Sequence, residues 1–538
     1  MDRRAFLRGA TLGGAAIGAA ATGLRPGESK TKEKVDEGQC IQNGPGSIID
    51  RSDDRYSALN RAFNRRFTGN PYEIVYIQKP QDVEEVLEKA YQNDRGVTIR
   101  SGGHCYEGWC VNPGLAKDRE LQAIIDTSLL TEFYFEERIP ALRGCVAVGS
   151  GSSNWSLDRM LYPFAGFAPP GGSCYSVAAG GHFSGGGYGL MSRLDGMVVD
   201  HIAGIEIVVL SEKGIASTIL VTENDTGEKG ELFWALRGGG GGNFGVVTRF
   251  YLRPCPRSNA VKLSSLSFPW ESKTESGLDT DKLASLIKAF GAYWEAHNSP
   301  LKDDPSNELF SIMKVNTKYS APPTILCQWS VKNQSKLGPN DKPDSFTKYI
   351  IDFCNDYGIR YNSTIQNMGW LEATQTLNGS GPNRRFKNKS AYMKKNFSDS
   401  DAKNIARIAS EAPPTITSGL IQIDSFGGVI NSKKSDFNAY SHRNSCLSVQ
   451  WQCYWDNIAD DQANINWINS SYNSIYGENG PLDSDKYEGC YVNYCDSHLP
   501  DQSWPQLYYL NNYPRLQAAK SNWDPLNFFR FKQSIRPL

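Results

Sequence analysis

The chain has 538 residues, which is enough for two large domains or one composite enzyme body. Its apolar share of 39% and charged share of 21% are ordinary for a globular protein. The 57 basic residues are balanced by 58 acidic residues, so no net positive field exists to attract nucleic acid or anionic lipid, and we expect neither as a partner.

The N-terminus carries the pattern of an export signal. Arg3 and Arg4 precede an uncharged run of small and apolar residues, Gly9–Leu24. A paired arginine, a short apolar stretch and small residues near Ala20 are typical of a twin-arginine signal, which exports folded and often cofactor-loaded proteins. We therefore assign residues 1–30 to a signal and linker and expect a periplasmic or extracellular protein. A membrane anchor is the alternative, although the run is short for a span.

A β-α-β order follows. Residues 73–77 read as a strand, residues 81–87 as an amphipathic helix, and residues 97–100 as a second strand that leads directly into Gly102. This order predicts an α/β layer.

Three glycine-rich runs mark the first half of the chain: residues 100–104, 170–189 and 237–245. Glycine lets backbone N–H groups approach a phosphate closely. Three such runs predict an extended, doubly charged cofactor such as a dinucleotide, whereas ordinary tight turns are the alternative for any single run. No GxxxxGK[ST] loop is present, so the sequence does not support a nucleotide triphosphatase, and no GxGxxG lies at a first strand-to-helix turn, which argues against a Rossmann dinucleotide site.

Glycine becomes rarer between about residues 256 and 480, where strand-like stretches occur at Leu420–Phe426 and Leu447–Tyr454. This change predicts a second domain built on a largely antiparallel sheet. The aromatic tail, residues 523–529, is expected to dock on the body. The twelve cysteines form no CxxC, and His442 is not spaced with Cys446 and Cys453 as a zinc set, so we predict no structural metal.

The motifs resemble those of the berberine-bridge-enzyme-like FAD oxidases, which share the FAD-binding architecture of vanillyl-alcohol oxidase and p-cresol methylhydroxylase. The likeness covers nearly the whole chain after the signal, and within the family the motifs most resemble those of the hexose-oxidase and glucooligosaccharide-oxidase branch. The stretches that carry it are residues 101–107, 170–177, 231–245, 377–383, 390–393, 488–494 and 523–525.

The resemblance implies an α+β fold with a two-part FAD-binding domain of the p-cresol methylhydroxylase type and a substrate domain whose large antiparallel sheet is flanked by helices. We place the FAD-binding domain at residues 50–255 and the substrate domain at 256–485. Residues 486–538 form a C-terminal segment that returns to the FAD-binding domain.

The resemblance also implies that FAD is bound covalently twice, with His104 on the flavin 8α carbon and Cys174 on C6 as a thioether. Two such bonds raise the reduction potential of the flavin and prevent its loss outside the cell. The predicted cofactor-binding residues are His104, Cys174, Arg100, Ser101, Gly102, Gly103, Gly171, Gly172, Ser173, Val177, Gly181, His182, Gly185, Gly186, Gly187, Gly189, Gly245, Val246 and Asn493.

Members of the family remove the substrate hydroxyl proton with a tyrosine in an Asn-Tyr-x-Asp segment, which assigns that role to Tyr494. A tyrosine has a reference pKa of about 10 and needs help to lose its proton near neutrality. Carbohydrate-oxidising relatives use a carboxylate on a sheet strand, and Asp424 matches it, although a turn cap before Gly427 is the alternative. Gln422 shares the strand face of Asp424. Gln422, Gln450 and Gln452 are the predicted substrate-binding residues.

Two further expectations come from relatives. Small residues at Val177–Gly181 permit access of O₂ to the flavin. Cys40 is expected to pair with Cys110, with Cys105 as a competitor.

The leading hypothesis is an oxidase that converts the C1 hydroxyl of a hexose or oligosaccharide to a lactone and reduces O₂ to H₂O₂. A carbohydrate or glycoside-like alcohol and O₂ are then its partners. The alternatives are an oxidase that tailors a glycosylated or polycyclic metabolite, a flavin dehydrogenase with another acceptor, and a carbohydrate-binding protein without catalysis. Tailoring relatives often carry a second tyrosine near the strand of Asp424, and residues 420–428 contain none, which favours sugars. The sequence does not indicate an oligomeric state.

Overall fold

The computed structural model of the protein describes residues 48–115, 119–271, 277–331 and 334–538, apart from the side chains of residues 334 and 335. The predicted export signal and Cys40 lie outside the described residues. Within the described part, no helix combines the length and the apolar character that a membrane span requires.

The helices are spread along the whole described chain. They are α1 (Tyr56–Leu59), α2 (Pro80–Gln92), α3 (Asn154–Ala165), α4 (Ala179–Ser184), α5 (Ser192–Asp195), α6 (Gly227–Leu236), α7 (Thr280–Ala296), α8 (Ser345–Asp356), α9 (Trp370–Thr376), α10 (Asp399–Ser410), α11 (Asp461–Tyr476), α12 (Trp504–Tyr509) and α13 (Tyr513–Trp523).

The first sheet has the order β1-β2-β4-β3. Its strands are β1 (Ile48–Asp50), β2 (Glu73–Tyr76), β3 (Gly96–Arg100) and β4 (Leu121–Asp126). Strands β2 and β3 both pair with β4 in parallel, which is the arrangement expected when helix α2 connects β2 to β3.

Helix α2 forms here because its sequence provides both a capped N-terminus and an apolar face. Pro80 occupies its first turn, and Asp82 accepts hydrogen bonds from the backbone N–H groups just before it, at Gln78 and Lys79. Val83 and Leu87 lie one turn apart and are fully buried against the sheet. The predicted strand, helix and strand of this region are thereby confirmed.

The second sheet is antiparallel, with the order β5-β6-β9-β7-β8. Its strands are β5 (Phe133–Phe135), β6 (Val146–Gly149), β7 (Ile202–Leu210), β8 (Ala216–Thr222) and β9 (Val246–Leu252). The second and third glycine runs are set among these strands.

The third sheet has seven antiparallel strands in the order β13-β10-β12-β11-β15-β16-β14. Its strands are β10 (Ala260–Ser267), β11 (Leu309–Asn316), β12 (Thr324–Ser330), β13 (Asn362–Gly369), β14 (Arg385–Met393), β15 (Gly419–Ser425) and β16 (Leu447–Trp455). The predicted α+β organisation with a large antiparallel sheet is confirmed. The change of sheet between β9 and β10 falls near residue 255, while the domain limits themselves remain predictions.

Alternation along β15 and β16 divides the third sheet into an apolar and a polar face. Ile421, Ile423, Val449 and Trp451 are fully buried in a core that also contains residues of α7, α10 and α11. Because successive side chains of a strand point to opposite faces, the glutamines and Asp424 lie on the other face. That polar face forms one wall of the candidate site.

The aromatic tail docks as expected. Phe528 and Phe529 are each 2% exposed and belong to the core that α2 and the first sheet share.

Candidate active site

One cavity of about 760 Å³ lies against the three glycine runs and the polar face of the third sheet. It is large enough for a sizeable ligand that is mostly enclosed. The predicted residues that line it are Ser101, Gly102, Gly103, His104, Gly172, Ser173, Cys174, Val177, Gly181, His182, Gly189, Gly245, Gln422, Asp424, Gln450, Gln452, Asn493 and Tyr494. The structure therefore brings together residues that are up to about 390 positions apart in sequence.

His104 is held in a fixed orientation at the cavity wall. Its ring stacks on Phe63, with centroids 3.8 Å apart, and its Nε2 lies 3.0 Å from Ser176 Oγ. Burial lowers the pKa of His104 to about 4. The imidazole is therefore neutral at pH 7, and Nδ1 is the ring nitrogen left free to form a bond with a ligand.

Cys174 lies at the same cavity on a loop that is tied down on both sides. Asn154 donates a hydrogen bond of 3.0 Å to the carbonyl of Cys174, and the N–H of Gly172 donates one of 2.9 Å to His182 Nε2. Burial raises the pKa of the Cys174 thiol, and Lys314 partly offsets that effect. The loop thus presents a half-buried sulfur to the cavity.

Two glycines of the runs are required by close approach. A Cβ on Gly189 would lie 1.7 Å from the carbonyl oxygen of Gly171, and one on Gly102 would lie 2.8 Å from the N–H nitrogen of Ala178. Any other residue at these positions would force the loops apart.

The same wall fits a dinucleotide. Gly181 has open space where a side chain would be, and Gly241 of the third run lies beside it at the cavity surface. The buried hydroxyls of Thr98 and Thr127 also line the cavity and have no hydrogen-bond partner among the described residues. Exposed backbone and unsatisfied hydroxyls suit the phosphates and ribose hydroxyls of FAD.

Three tyrosines from the loops of His104 and Tyr494 meet at the cavity. Tyr494 stacks on Tyr106, with centroids 5.4 Å apart and planes inclined by 11°, and its ring centroid lies 4.9 Å from that of Tyr491. Burial first, and then the neighbouring Tyr106 and Asp424, raise the pKa of Tyr494 well above its ordinary value. Tyr494 is therefore protonated in this environment and has to pass its proton on if it is to act as a base.

Asp424 is the carboxylate of the cavity that could accept a proton from Tyr494. It is 5% exposed, and burial raises its pKa to about 7, with Gln422 and Lys314 acting in the opposite direction. Gln422 Nε2 donates to both carboxylate oxygens, at 3.0 and 3.2 Å. The carboxylate therefore faces the cavity and does not serve as a turn cap. No hydrogen bond joins it to Tyr494 within the described chain.

The glutamines form a connected chain along the polar wall. Gln452 Nε2 donates to Gln450 Oε1 at 3.0 Å and to Gln422 Oε1 at 3.3 Å. Gln450 in turn donates to the hydroxyl of Tyr106 at 2.8 Å, and the hydroxyl of Tyr454 donates to Gln452 Oε1 at 2.8 Å. This wall offers several amide donors and acceptors in fixed positions.

A buried charge cluster supports the loops of His104 and Tyr494 from behind. Lys387 contacts Glu107, three residues after His104, and lies 2.5 Å from Asp496, two residues after Tyr494. Lys389 also lies 2.5 Å from Asp496. Although burial favours the neutral acid, the two lysines lower the pKa of Asp496 well below its ordinary value. The cluster therefore joins the loops that carry His104 and Tyr494 to strand β14.

Glu107, Asp496 and His498 bring possible metal-ligating atoms within 4.8 Å of one another. The ammonium groups of Lys387 and Lys389 already occupy the carboxylates of this group. That pairing disfavours a divalent cation at this position.

The C-terminal segment fixes the third glycine run. Lys520 Nζ donates to the carbonyl of Asn243 at 2.5 Å and to Asp524 at 2.6 Å, and the N–H of Ile535 donates to Asn243 Oδ1 at 2.8 Å. Residues from the far end of the chain thus hold a wall of the cavity.

Six predicted cofactor residues do not line the main cavity. Arg100 is bound to Asp126 at 2.6 Å, and Val246 is part of the hydrophobic core. The glycines among them lie behind the wall, where they allow tight turns or close packing. These six residues are Arg100, Gly171, Gly185, Gly186, Gly187 and Val246.

Sequence reasoning missed Tyr106 and Lys314. Tyr106 lies two residues after His104, and this proximity was a usable signal for it. Lys314 lies in a region without a recognised motif, so only the pairing of β11 with β15 reveals its place. A tyrosine that stacks on Tyr494 therefore comes from the His104 loop, and the lack of a tyrosine in residues 420–428 no longer argues against a tailoring enzyme.

Comparison with known proteins bears on this arrangement. Family models described as "FAD binding domain" and "Berberine and berberine like" match residues 71–215 and 490–536. The hexose oxidase of Chondrus crispus is 34% identical over 556 aligned positions, covering 92% of this chain and 97% of that protein.

The chain belongs to the berberine-bridge-enzyme-like family of FAD-linked oxidases. Another member, the aclacinomycin-N/aclacinomycin-A oxidase of Streptomyces galilaeus, is 31% identical, with 99% of this chain and 98% of that protein covered. Among solved structures, the oxidoreductase of the terminal step of gilvocarcin biosynthesis, in complex with pregilvocarcin, superposes with a TM-score of 0.83 at 29% identity, covering 91% of this chain and 99% of that chain. As a berberine-bridge-like protein, the chain has the predicted FAD-binding fold and is an FAD-dependent oxidoreductase.

The predicted pair Cys40–Cys110 remains a prediction, because Cys40 lies outside the described residues. The competitor Cys105 instead has its sulfur 3.8 Å from that of Cys495, so these two thiols touch between the His104 and Tyr494 loops.

Proposed function

We propose that this berberine-bridge-like protein is an exported oxidase that carries FAD on two covalent bonds, through His104 and Cys174. It oxidises the C1 hydroxyl of a reducing hexose or oligosaccharide to the lactone. Two electrons and two protons leave the sugar and convert O₂ to H₂O₂. One observation carries the proposal: a single cavity is lined both by the two nucleophiles and by a wall of hydrogen-bonding amides together with Tyr494 and Asp424.

The residues that would hold FAD are those of the glycine-rich wall. The neutral His104 has Nδ1 available for the flavin 8α carbon, and Cys174 offers its sulfur to C6. Thr98, Thr127 and the backbone near Gly181 and Gly241 suit the remainder of the dinucleotide. When bound, FAD supplies the two-electron acceptor that takes the hydride from C1.

The proton of the C1 hydroxyl is handled by Tyr494 and Asp424. Tyr494 has a raised pKa, so its phenol accepts the proton only if its own proton moves on. Asp424, with a pKa of about 7, is ionised often enough at neutral pH to receive it. The substrate hydroxyl would lie between the two side chains. The proton of Tyr494 would pass through this hydroxyl to Asp424, and Tyr494 would then accept the proton of the hydroxyl itself.

The amide wall suits a sugar because each ring hydroxyl both donates and accepts a hydrogen bond. Gln422, Gln450 and Gln452 offer both groups, and their mutual bonds hold them in position. The small residues at Val177 and Gly181 also line the cavity and leave space for O₂.

A tailoring oxidase for a glycosylated or polycyclic metabolite is the second candidate. It is favoured by the parallel Tyr106 and Tyr494 rings, which suit a flat aromatic substrate, and by the similarity to an aclacinomycin oxidase. A dehydrogenase with another electron acceptor would use the same site, and failure to produce peroxide while a sugar still bleaches the flavin would identify it.

The experiment is a panel of reducing sugars and polycyclic aglycones with a peroxide readout, run on the wild type and on Tyr494→Phe. We expect peroxide from sugars, and we expect Tyr494→Phe to keep its flavin while flavin reduction slows by about 10²-fold or more, because a general base is lost. Tyr357→Phe, which changes a tyrosine that is 59% exposed, is the matched control and should behave as the wild type. Normal turnover of Tyr494→Phe would refute the assigned base.

A further inference from the structure

Lys314 is a charged residue of the cavity that the mechanism above does not use. It lies half-buried on β11 and lines the cavity. It makes no hydrogen bond and no ion pair with another residue in the described ranges, whereas Arg384, which also lines the cavity, is bound to Asp456 at 3.1 Å. The cavity thus contains an ammonium group that no carboxylate of the described residues contacts directly, although Asp424 lies near enough for Lys314 to lower its pKa.

Few charged side chains line the cavity, and Arg384 among them is paired with Asp456. The side chains with a formal charge that line it within the described part are Lys314, Arg384, Arg530 and Asp424. Burial raises the pKa of Asp424 to about 7, so near pH 7 this carboxylate offsets only part of the charge of Lys314.

Strand pairing places Lys314 next to the reacting end. In the antiparallel pair of β11 and β15, Lys314 is opposite Gln422 and Ile312 is opposite Asp424. Opposed residues share a face of the sheet, and two residues along a strand span about 7 Å. Lys314 is therefore about one pyranose ring away from the level of Asp424, on the same wall as the glutamines.

Neutral hydroxyls do not explain this lysine. The amides already offer them donors and acceptors, and a partly desolvated ammonium is stabilised mainly by an anion. We infer, on the basis of the proposed function, that the substrate is an acidic sugar whose ring carboxylate binds Lys314 while its C1 hydroxyl faces Tyr494. A reducing hexuronic acid, alone or at the reducing end of an oligosaccharide, has both groups on one ring.

The chemistry at C1 stays the same. The C1 carbon loses a hydride and its hydroxyl loses a proton, O₂ is reduced to H₂O₂, and the ring carboxylate is not consumed. Lys314 is thus a residue that determines specificity through binding.

The first test compares matched sugars that differ only at C6: glucose with glucuronate, and galactose with galacturonate. Peroxide release is followed for the holoenzyme, Lys314→Met and Lys314→Arg. We expect the wild type to favour at least one acid over its neutral partner by about tenfold or more in kcat/KM, mostly through KM. Lys314→Met should lose this preference and Lys314→Arg should retain most of it, while the surface variant Lys348→Met should keep it in full.

The second test measures binding without turnover. Methyl glucuronoside and methyl glucoside have no free C1 hydroxyl, so their affinities can be compared by calorimetry on the holoenzyme. We expect tighter binding of the glucuronoside to the wild type and no difference in Lys314→Met. Equal binding of the two glycosides together with equal or better oxidation of the neutral sugars would overturn the role of Lys314 and leave the proposed function intact. If no sugar yields peroxide, the proposed function fails, and calorimetry alone decides the anion site.

Discussion

At the scale of single residues, the burial of Asp424 should make the rate of substrate oxidation depend on pH. Burial raises its pKa to about 7, and only the ionised carboxylate can accept the proton. We therefore predict that kcat/KM increases as the pH rises through about 7, and that Asp424→Asn removes this increase and lowers the rate by about 10²-fold or more. Steady-state kinetics from pH 5 to 9, at constant flavin content, measure it.

Asp158 offers a control because burial raises its pKa in the same way, to about 7, at a position outside the cavity. Asp158→Asn should keep the wild-type pH profile. A profile that Asp424→Asn leaves unchanged would show that another group governs the increase.

At the scale of elements, a buried charge cluster connects β14 to the loops that carry His104 and Tyr494. Its members are Glu107, Lys387, Lys389 and Asp496. Removing one member of a buried ion network leaves uncompensated charge, which costs about 3–5 kcal/mol. Lys387→Met should therefore lower the unfolding midpoint in urea clearly, and it should also reduce flavin incorporation, because the loop of His104 loses its support. Both quantities can be measured on the same preparation.

The exposed pair Lys348–Asp352, at 2.6 Å, provides the comparison for this substitution. Its side chains are 65% and 55% exposed, and such pairs contribute about 0–1 kcal/mol. Lys348→Met should accordingly change the midpoint little. Equal effects of Lys348→Met and Lys387→Met would contradict the structural role of the cluster.

The elements also show where sequence reasoning succeeded. The strand at β2, helix α2 and the strands β15 and β16 were predictable because their apolar residues recur with the period of the element that forms. Asp424 and the glutamines were predictable as one set because they alternate with buried residues such as Ile423 and Trp451. Local pattern was sufficient wherever the relevant neighbours were near in sequence.

Other parts of the site depend on strand pairing and loop packing between distant segments, which the local sequence pattern does not reveal. Lys314 reaches the cavity through the register of β11 with β15, and Tyr106 meets Tyr494 only after distant loops pack together. Arg100 belongs to the first glycine run, but its guanidinium is paired with Asp126 and does not line the cavity. Charge partners of this kind appear only in three dimensions.

At the scale of the whole molecule, distant segments meet around one cavity. The first half of the chain supplies His104 and Cys174, the seven-stranded sheet supplies the amide wall, and the C-terminal segment supplies Tyr494 and the anchor at Asn243. Such an arrangement suits a cofactor that is held by several segments of the chain while substrates exchange beside it.

The most direct test is mass spectrometry of peptides from the purified protein after denaturation in acid. We predict that the peptides containing His104 and Cys174 remain joined through one flavin nucleotide, and that His104→Ala and Cys174→Ala each leave the flavin on the other peptide alone. A protein that binds FAD but yields both peptides at their unmodified masses would contradict it.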